Sequence, residues 1–373
     1  MTPTLTRSVP FFDYSRVFTD EEEMLLAIVR DVGRRGAFIL QQDLARFEEH
    51  LAQFLGAKHA LGVGSATDGL IIALRASGIR KGDEVIFSSH TMIATAAAIH
   101  FAGAVPVPVE CGPDHLIDPT AVAEAVTPRT RAILPTQLNG RTADMAALDA
   151  IARRHGLIVV EDAAQALGSK FRGQAAGTFG ASSAISFYPA KVLGCLGDGG
   201  AVVTSRDHIH GRMLELRDHG RRADGEIVSW GLNSRLDNLQ AAILDARFEK
   251  FPAVIERRRA IARLYKSRLS ELEELTLPPG PDGDDEHFDI YQNYEIEAAR
   301  RDQLRAHLAE CGIGTLLPWG GKAVHQWEKL GFTELLPFTE KLFERVLLLP
   351  LNMFLTDDDV NLVSDAIHTF YRS

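Results

Sequence analysis

Three short segments of the chain carry residue types that do chemistry together. Leu157-Ile158-Val159-Val160-Glu161-Asp162 is an apolar run ending in two carboxylates, and Ser186-Phe187-Tyr188-Pro189-Ala190-Lys191 is a second strand-like run that leads into a lysine. A carboxylate at a strand end can hold a positive charge on a bound group, and a lysine leaving an apolar strand into a cleft is desolvated enough to act as an imine-forming amine. Upstream, Gly62-Val63-Gly64-Ser65-Ala66-Thr67-Asp68 is a glycine-rich turn entering an apolar helix. Its free backbone N–H groups and positive helix end suit an anion such as phosphate. Taken singly, each has a plainer reading: a capped helix start for the turn, a solvated strand end for the acids, a surface position for the lysine. The glycine spacing is not that of a dinucleotide-binding fingerprint. As an ordered set the segments supply an anion cradle, a carboxylate and an imine lysine, the functions that a pyridoxal 5'-phosphate (PLP) site requires.

The elements that must position these residues follow from the apolar pattern. Runs rich in β-branched residues predict strands at Glu84–Phe87, Val105–Val109, Ala132–Leu134, Leu157–Val160, Ala184–Phe187 and Ala201–Thr204. Helical spacing lies between several of them, at Thr67–Ala76, Pro119–Val126 and Met145–His155. Ahead of them Asp43–Gly56 reads as a helix with Leu44, Phe47, Leu51 and Leu55 on one face, Asp43 capping its start and Gly56 its end. Alternating strands and helices predict an α/β fold with a mostly parallel sheet covered on both faces, whose ligand sits at the carboxyl ends of the strands. Near Phe251 the pattern changes. A basic helix at Glu256–Leu269, an acidic loop at Pro278–Asp285, a strand at Tyr291–Glu297 and helices at Asp302–Cys311 and Asp357–Tyr371 predict a smaller α+β domain. The expected division is a large domain over 1–250 and a small one over 251–373.

Composition bounds the function. The 373 residues include 40 Lys and Arg against 50 Asp and Glu, a formal charge of -10, so there is no basic footprint for nucleic acid or an anionic membrane. Apolar residues make up 46% and charged residues 24%, ordinary for a folded chain. Cys111, Cys195 and Cys311 are too few and too widely spaced for a disulfide framework or a metal knuckle, so no metal site and a reducing cytoplasm are expected. Met1–Pro10 lacks the apolar core of a signal segment, and no spanning segment is expected. Cys195, four residues after Lys191, reads as a small buried thiol, and Arg257-Arg258-Arg259 as a solvated helix face.

The chain resembles the PLP-dependent sugar-nucleotide aminotransferases of the DegT/StrS type, from about Phe38 to Ile367. The resemblance rests on six ordered segments: Gly64-Ser65-Ala66-Thr67-Asp68, Gly82-Asp83-Glu84-Val85-Ile86, Glu161-Asp162-Ala163-Ala164-Gln165-Ala166, Ser186-Phe187-Tyr188-Pro189-Ala190-Lys191, Gly197-Asp198-Gly199-Gly200 and Asn233-Ser234-Arg235-Leu236-Asp237. It implies the type I PLP-dependent aminotransferase fold. Lys191 is then the imine lysine and proton shuttle, and Asp162 the partner of the protonated pyridine nitrogen. Ser186, with Ser65 and the backbone of Ala66 and Thr67, is implied at the phosphate, Gln165 near the ring's phenolic oxygen and Met92 on the ring face. Asn233 is implied to reach the cofactor of a neighbouring subunit, hence a homodimer with shared sites. On the substrate side the resemblance implies Tyr188 and His325, the latter weighed against a packing histidine.

The chain also departs from the family pattern. Met92 stands where an aromatic residue usually stacks, and a thioether contacts a π face more weakly. Ala66 replaces a glycine, Leu167 a histidine and Val192 an asparagine, while Gln137-Leu138-Asn139-Gly140 replaces a His-Leu-Tyr-Gly pattern. The expected activity is transfer of an amino group from L-glutamate to the keto carbon of a nucleotide-linked deoxysugar. Two alternatives remain: a keto-cyclitol substrate, and a non-catalytic PLP-binding regulator. Dehydration of a keto sugar is disfavoured, because relatives doing that chemistry replace the lysine by histidine.

Overall fold

The structure is a computed structural model that describes residues 8–372; most of the Met1–Pro10 stretch read above for a signal segment lies outside the described residues. Seven strands form the main sheet: β1 (His59–Val63), β2 (Glu84–Ser88), β3 (Val105–Val109), β4 (Thr130–Leu134), β5 (Ile158–Asp162), β6 (Ser182–Ser186) and β7 (Gly200–Thr204). Their order is β1-β7-β6-β5-β4-β2-β3, and β7 alone runs antiparallel to its neighbours. This is the mostly parallel α/β sheet that the sequence pattern predicts. Reversal of β7 matters for the site: it brings the Gly199-Gly200 turn to the same edge as the carboxyl ends of β1, β5 and β6.

Both sheet faces are covered, and the pleat shows how. Val85 and Phe87 join one apolar cluster with the helices Ala66–Ala76, Ile93–Phe101 and Asp207–Arg217, while Ile86 between them joins another with Met145, Leu148 and Ala152 of Met145–His155. Alternate residues of a strand point to opposite faces, so a continuous apolar run is what a doubly covered strand needs. A further core packs Phe47 and Leu51 of Gln42–Leu55 against Ala201 and Val203. Leu44, Phe47, Leu51 and Leu55 are buried as expected, and Gly56 ends that helix at φ 69°. Asp43 does not cap it. The cap position is Gln41, and Asp43 lies in the first turn, where Asn238 Nδ2 and Arg35 Nη2 donate to its Oδ2 at 2.7 and 2.8 Å.

After Phe251 the chain builds a second core. A three-stranded antiparallel sheet (Leu275–Thr276, Tyr294–Ala298, Val346–Leu349) packs with the helices Phe251–Leu269, Arg301–Glu310 and Asp357–Arg372, burying Tyr265, Ile296, Leu304, Leu347 and Ile367. Val9 from the start of the described chain joins this core. The Arg257-Arg258-Arg259 run is not a solvated face: Arg258 and Arg259 are buried, and their guanidinium groups donate to the main-chain carbonyls of Tyr291, Gln292 and Leu351 and of Asp289 and Pro281. Among the described residues, no helix is long and apolar enough to cross a membrane.

Candidate active site

The carboxyl edge of the sheet opens into a cavity of about 520 Å³, closed on its far side by Gln292, Asn293, Glu295 and Leu316–Trp319. Ser65, Ala66, Thr67, Met92, Asp162, Gln165, Ser186, Tyr188 and Lys191 all line it. Asn233 and His325 do not.

The anion cradle is built by capping. Ser65 is the extended N-cap of the helix Ala66–Ala76, and its Oγ accepts from Asp68 N at 3.1 Å. Ala66 and Thr67 line the cavity, and their first-turn N–H groups have no helical carbonyl to take them. Ser234 fixes the turn, accepting from Gly64 N at 3.0 Å and donating to Asp68 Oδ2 at 2.8 Å. Gly200 lies against it: a Cβ there would stand 2.7 Å from Ala66 N. Ser186 is the register partner of Gly200 and brings its hydroxyl to the same corner.

The two carboxylates at the end of β5 separate by the pleat. Glu161 is wholly buried and consumed by structure, accepting from Gln137 Nε2 and from the N–H groups of Gly177, Phe179 and Gly180 at 2.7–2.9 Å. Asp162 faces the cavity. Its Oδ2 accepts from Thr95 Oγ1 at 2.7 Å and its Oδ1 from Ala164 N at 3.1 Å. Thr95 Oγ1 also meets Thr91 Oγ1 at 2.9 Å, which meets Thr136 Oγ1 at 2.9 Å. Burial pushes the Asp162 carboxyl up, opposed by the Thr95 and Ala164 hydrogen bonds and by the charge of Lys191. Burial pushes the Lys191 amine down to about 8, with Asp162 pulling the other way.

Gln165 Oε1 accepts from Asn139 N at 2.8 Å, and Asn293 Nδ2 donates to Asn139 Oδ1 at 2.8 Å, giving the cavity a polar wall. Met92 and Tyr188 are about half exposed at its mouth. Cys195 is buried behind the site, its thiol donating to the carbonyls of Phe187 and Gly197. Gln137, one of the departures from the family pattern, is buried outside the cavity, with its Oε1 taking Ala143 N at 2.7 Å. His325 is buried behind the wall, its ring held between Ser89 Oγ at 2.7 Å and Glu340 Oε1 at 3.2 Å. Asn233 is exposed on a loop whose Trp230 is 94% exposed.

Sequence reasoning missed the threonine chain, Gln292, Asn293 and a buried charge cluster beside the cavity, and named Asn139 only within a departure from the family pattern. In that cluster His115 Nδ1 lies 2.8 Å from Glu295 Oε1, and His90 Nε2 lies 3.5 Å from Glu295 Oε2. Burial pulls both imidazoles down, but the Glu295 carboxylate overrides it, leaving His90 pushed up to about 10 and His115 to about 9. The one available signal was position: Thr91 and Thr95 flank Met92 in sequence, and Gln292 and Asn293 fall inside the predicted strand Tyr291–Glu297.

The pieces fit PLP. The cavity joins exposed helix-start N–H donors and a serine hydroxyl to a buried carboxylate suited to a cationic ring nitrogen. It also holds the half-buried Lys191 amine, which no described acceptor hydrogen-bonds.

The profile of the DegT/DnrJ/EryC1/StrS aminotransferase family matches residues 19–368. A pleiotropic regulatory protein from Geobacillus stearothermophilus is 39% identical, over 98% of this chain and 99% of the relative. The dTDP-3-amino-3,4,6-trideoxy-alpha-D-glucose transaminase of Streptomyces venezuelae is 44% identical, over 83% of this chain and 82% of the relative. The crystal structure of S. venezuelae DesV in complex with a ketimine intermediate superposes with a TM-score of 0.94 at 40% identity, covering 99% of this chain and 100% of that one.

Proposed function

From the premise that the chain belongs to the DegT/DnrJ/EryC1/StrS family and is a PLP-dependent aminotransferase of the type I fold, we propose that it aminates the keto carbon of a nucleotide-linked deoxysugar with L-glutamate as donor. When bound, PLP supplies an electron sink for negative charge on a substrate carbon. Lys191 would hold it covalently through Nζ, Asp162 would hold the proton of its ring nitrogen, and Ser65, Ala66, Thr67 and Ser186 would hold its phosphate. Gln165 would meet its phenolic oxygen, and Met92 would cover one ring face with a flexible thioether in place of a flat ring.

The observation that carries the reading is Lys191: a half-buried amine whose desolvation pushes its pKa down to about 8, in the cavity that Asp162 also lines. Near neutral pH part of its population is unprotonated, so Nζ can take the proton from the donor's α carbon. Asp162 faces it from the end of β5, kept polar by Thr95, so the cationic partner stays oriented without solvent.

Two observations support a nucleotide-linked substrate. Relatives act on dTDP- and UDP-linked sugars by name. Thr91, Met92 and Trp319 are shared between the cavity and an adjoining groove lined by Trp327, Lys322 and Lys329, a combination of flat faces and ammonium groups suited to a nucleoside diphosphate. Tyr188 at the mouth would contact the sugar, and His325 would act on the substrate side only by bracing the wall through Ser89. A homodimer is supported by Asn233, exposed outside its own chain's cavity, and by the exposed Phe38, Ile39 and Leu40; Asn233 would reach the phosphate in the partner's site. We also propose the division near Phe251 as a domain boundary. Three cysteines free of disulfides support a cytoplasmic location.

The name of the Geobacillus relative favours a second reading, a PLP-binding regulator. Turnover separates the readings. With L-glutamate, the protein should convert a dTDP- or UDP-linked keto sugar to an amino sugar seen by mass spectrometry. Turnover of a keto-cyclitol alone would redirect the substrate assignment, and absence of any transamination would favour the regulator.

A further inference from the structure

Lys191 sits on a stretch without strand or helix between β6 and β7, and a strand therefore does not fix its backbone. Inside the loop, Lys191 N donates to Tyr188 O at 2.8 Å. The two main-chain groups that flank the lysine, Ala190 C=O and Val192 N–H, are met by one side chain from far along the sequence. Gln292 Nε2 donates to Ala190 O at 2.9 Å, and Val192 N donates to Gln292 Oε1 at 3.0 Å. A carboxamide is the side chain that offers one donor and one acceptor side by side. Here it grips the chain immediately before and after the reacting residue, and it adds no charge beside the amine.

Gln292 is itself held. It is buried, and the peptide before it turns through Tyr291 at φ 52°, a left-handed conformation unfavourable for a bulky residue. Arg258 pins this turn: its Nε donates to Tyr291 O at 2.8 Å, and its Nη2 donates to Gln292 O at 2.8 Å and to Leu351 O at 3.0 Å. No salt bridge to Arg258 occurs among the described residues. Its guanidinium is committed to carbonyls, and burial pushes it down to about 9. A rigid connection thus runs from the helix Phe251–Leu269 through Arg258 and Gln292 to the peptides on both sides of Lys191.

We propose that Gln292 is a positioning residue for Lys191, anchored by Arg258, so that the pose of the reacting amine is set by the C-terminal part of the chain as much as by β6. This rests on the reading of Lys191 as the PLP lysine. Geometry at a reacting group matters steeply, because a shift of about 1 Å can lower a rate about a hundredfold, and a site is precise only when the residues behind it are fixed.

The test uses the full chain and Gln292→Met, which keeps the length of the side chain and loses both hydrogen bonds. In the cofactor-free wild type the Val192 amide should be protected from hydrogen exchange, and in Gln292→Met it should exchange faster. The rate at which added PLP becomes linked to Lys191, trapped with borohydride and read by peptide mass, should fall roughly ten- to a hundredfold in the variant. Ile296→Val, a mild core change on the strand Tyr294–Ala298 that follows Gln292, should lower Tm and leave both readouts unchanged. A wild-type Val192 amide that exchanges like a free loop amide overturns the proposal, and that measurement decides alone if Gln292→Met does not fold. So does linkage at the wild-type rate in Gln292→Met. If instead the trapped peptide in wild type does not contain Lys191, the reading of that lysine fails.

Discussion

The Thr95 hydroxyl donates to Asp162 Oδ2 at 2.7 Å, at the buried end of a hydroxyl chain that continues through Thr91 to Thr136. Burial alone pushes Asp162 toward protonation. A protonated Asp162 would lose its charge pairing with a cationic ring nitrogen, so Thr95 helps to keep the site's anion an anion.

Thr95→Val keeps the shape and removes the donor. A hydrogen bond to a charged group contributes about 1.5–3 kcal/mol, so PLP binding should weaken roughly ten- to a hundredfold. A spectroscopic PLP titration reads this, and an unchanged Kd would remove Thr95 from the account.

Gly200 is required by contact. Its Cβ would fall 2.7 Å from Ala66 N, in the wall of the anion cradle. Gly200→Ala should destabilise the turn by about 1–3 kcal/mol and lower the affinity for PLP more than that for its phosphate-free analogue pyridoxal. Equal losses for both would place the damage elsewhere.

Lys191 makes the cofactor-free protein's stability depend on pH. Its folded pKa of about 8 lies below the ordinary 10.5, so between those values the unfolded chain holds more protons and stability rises with pH. The burial penalty, on the order of 3 kcal/mol, is full below pH 8. Lys191→Met should therefore be more stable than wild type at pH 7, with the advantage gone near pH 10.5. Denaturant melts at the two pH values check this; a difference that does not change with pH would count against a desolvated amine.

The His115–Glu295 pair has the opposite sign. The folded pKa of His115 is raised from 6.5 to about 9, so its stabilisation is complete below pH 6.5 and lost as pH rises through 9. His115→Gln should be destabilised most near pH 6, and the deficit should shrink by pH 9.5. His90, Glu297 and Arg345 share this neighbourhood, so variant and wild type must be compared at each pH.

Much of this was legible in the sequence because local pattern and tertiary environment agree there. The strand Val105–Val109 and the helix Met145–His155 have the bounds that their spacing predicts. Legibility fails where a distant partner decides. Asp43 has the composition of a cap, yet Asn238 and Arg35 claim it. Three consecutive arginines suggest solvent, but Arg258 and Arg259 find buried carbonyls supplied by residues 281–351. The first helix, Tyr14–Arg35, is absent from the sequence reading although Met24, Leu25, Ile28, Val29 and Val32 recur at helical spacing, and of these only Leu25 and Val32 are buried. At the site, the order of cradle, carboxylate and lysine was visible, since the cradle and the carboxylate sit at the ends of local elements and Lys191 follows β6 by five residues. The residue pattern alone leaves Glu161 and Asp162 together, and only the family resemblance singles out Asp162; the pleat sends the two to opposite faces, Asp162 toward the cavity, and the grip of Gln292 on residues 190 and 192 has no local signature.

The most direct test of the central claim is the absorbance spectrum of the purified protein with PLP, before and after L-glutamate, for wild type and Lys191→Ala. The wild type should show a visible band that bleaches toward the pyridoxamine form on adding glutamate, and Lys191→Ala should not. A band indifferent to glutamate, or the same response without Lys191, would contradict the account.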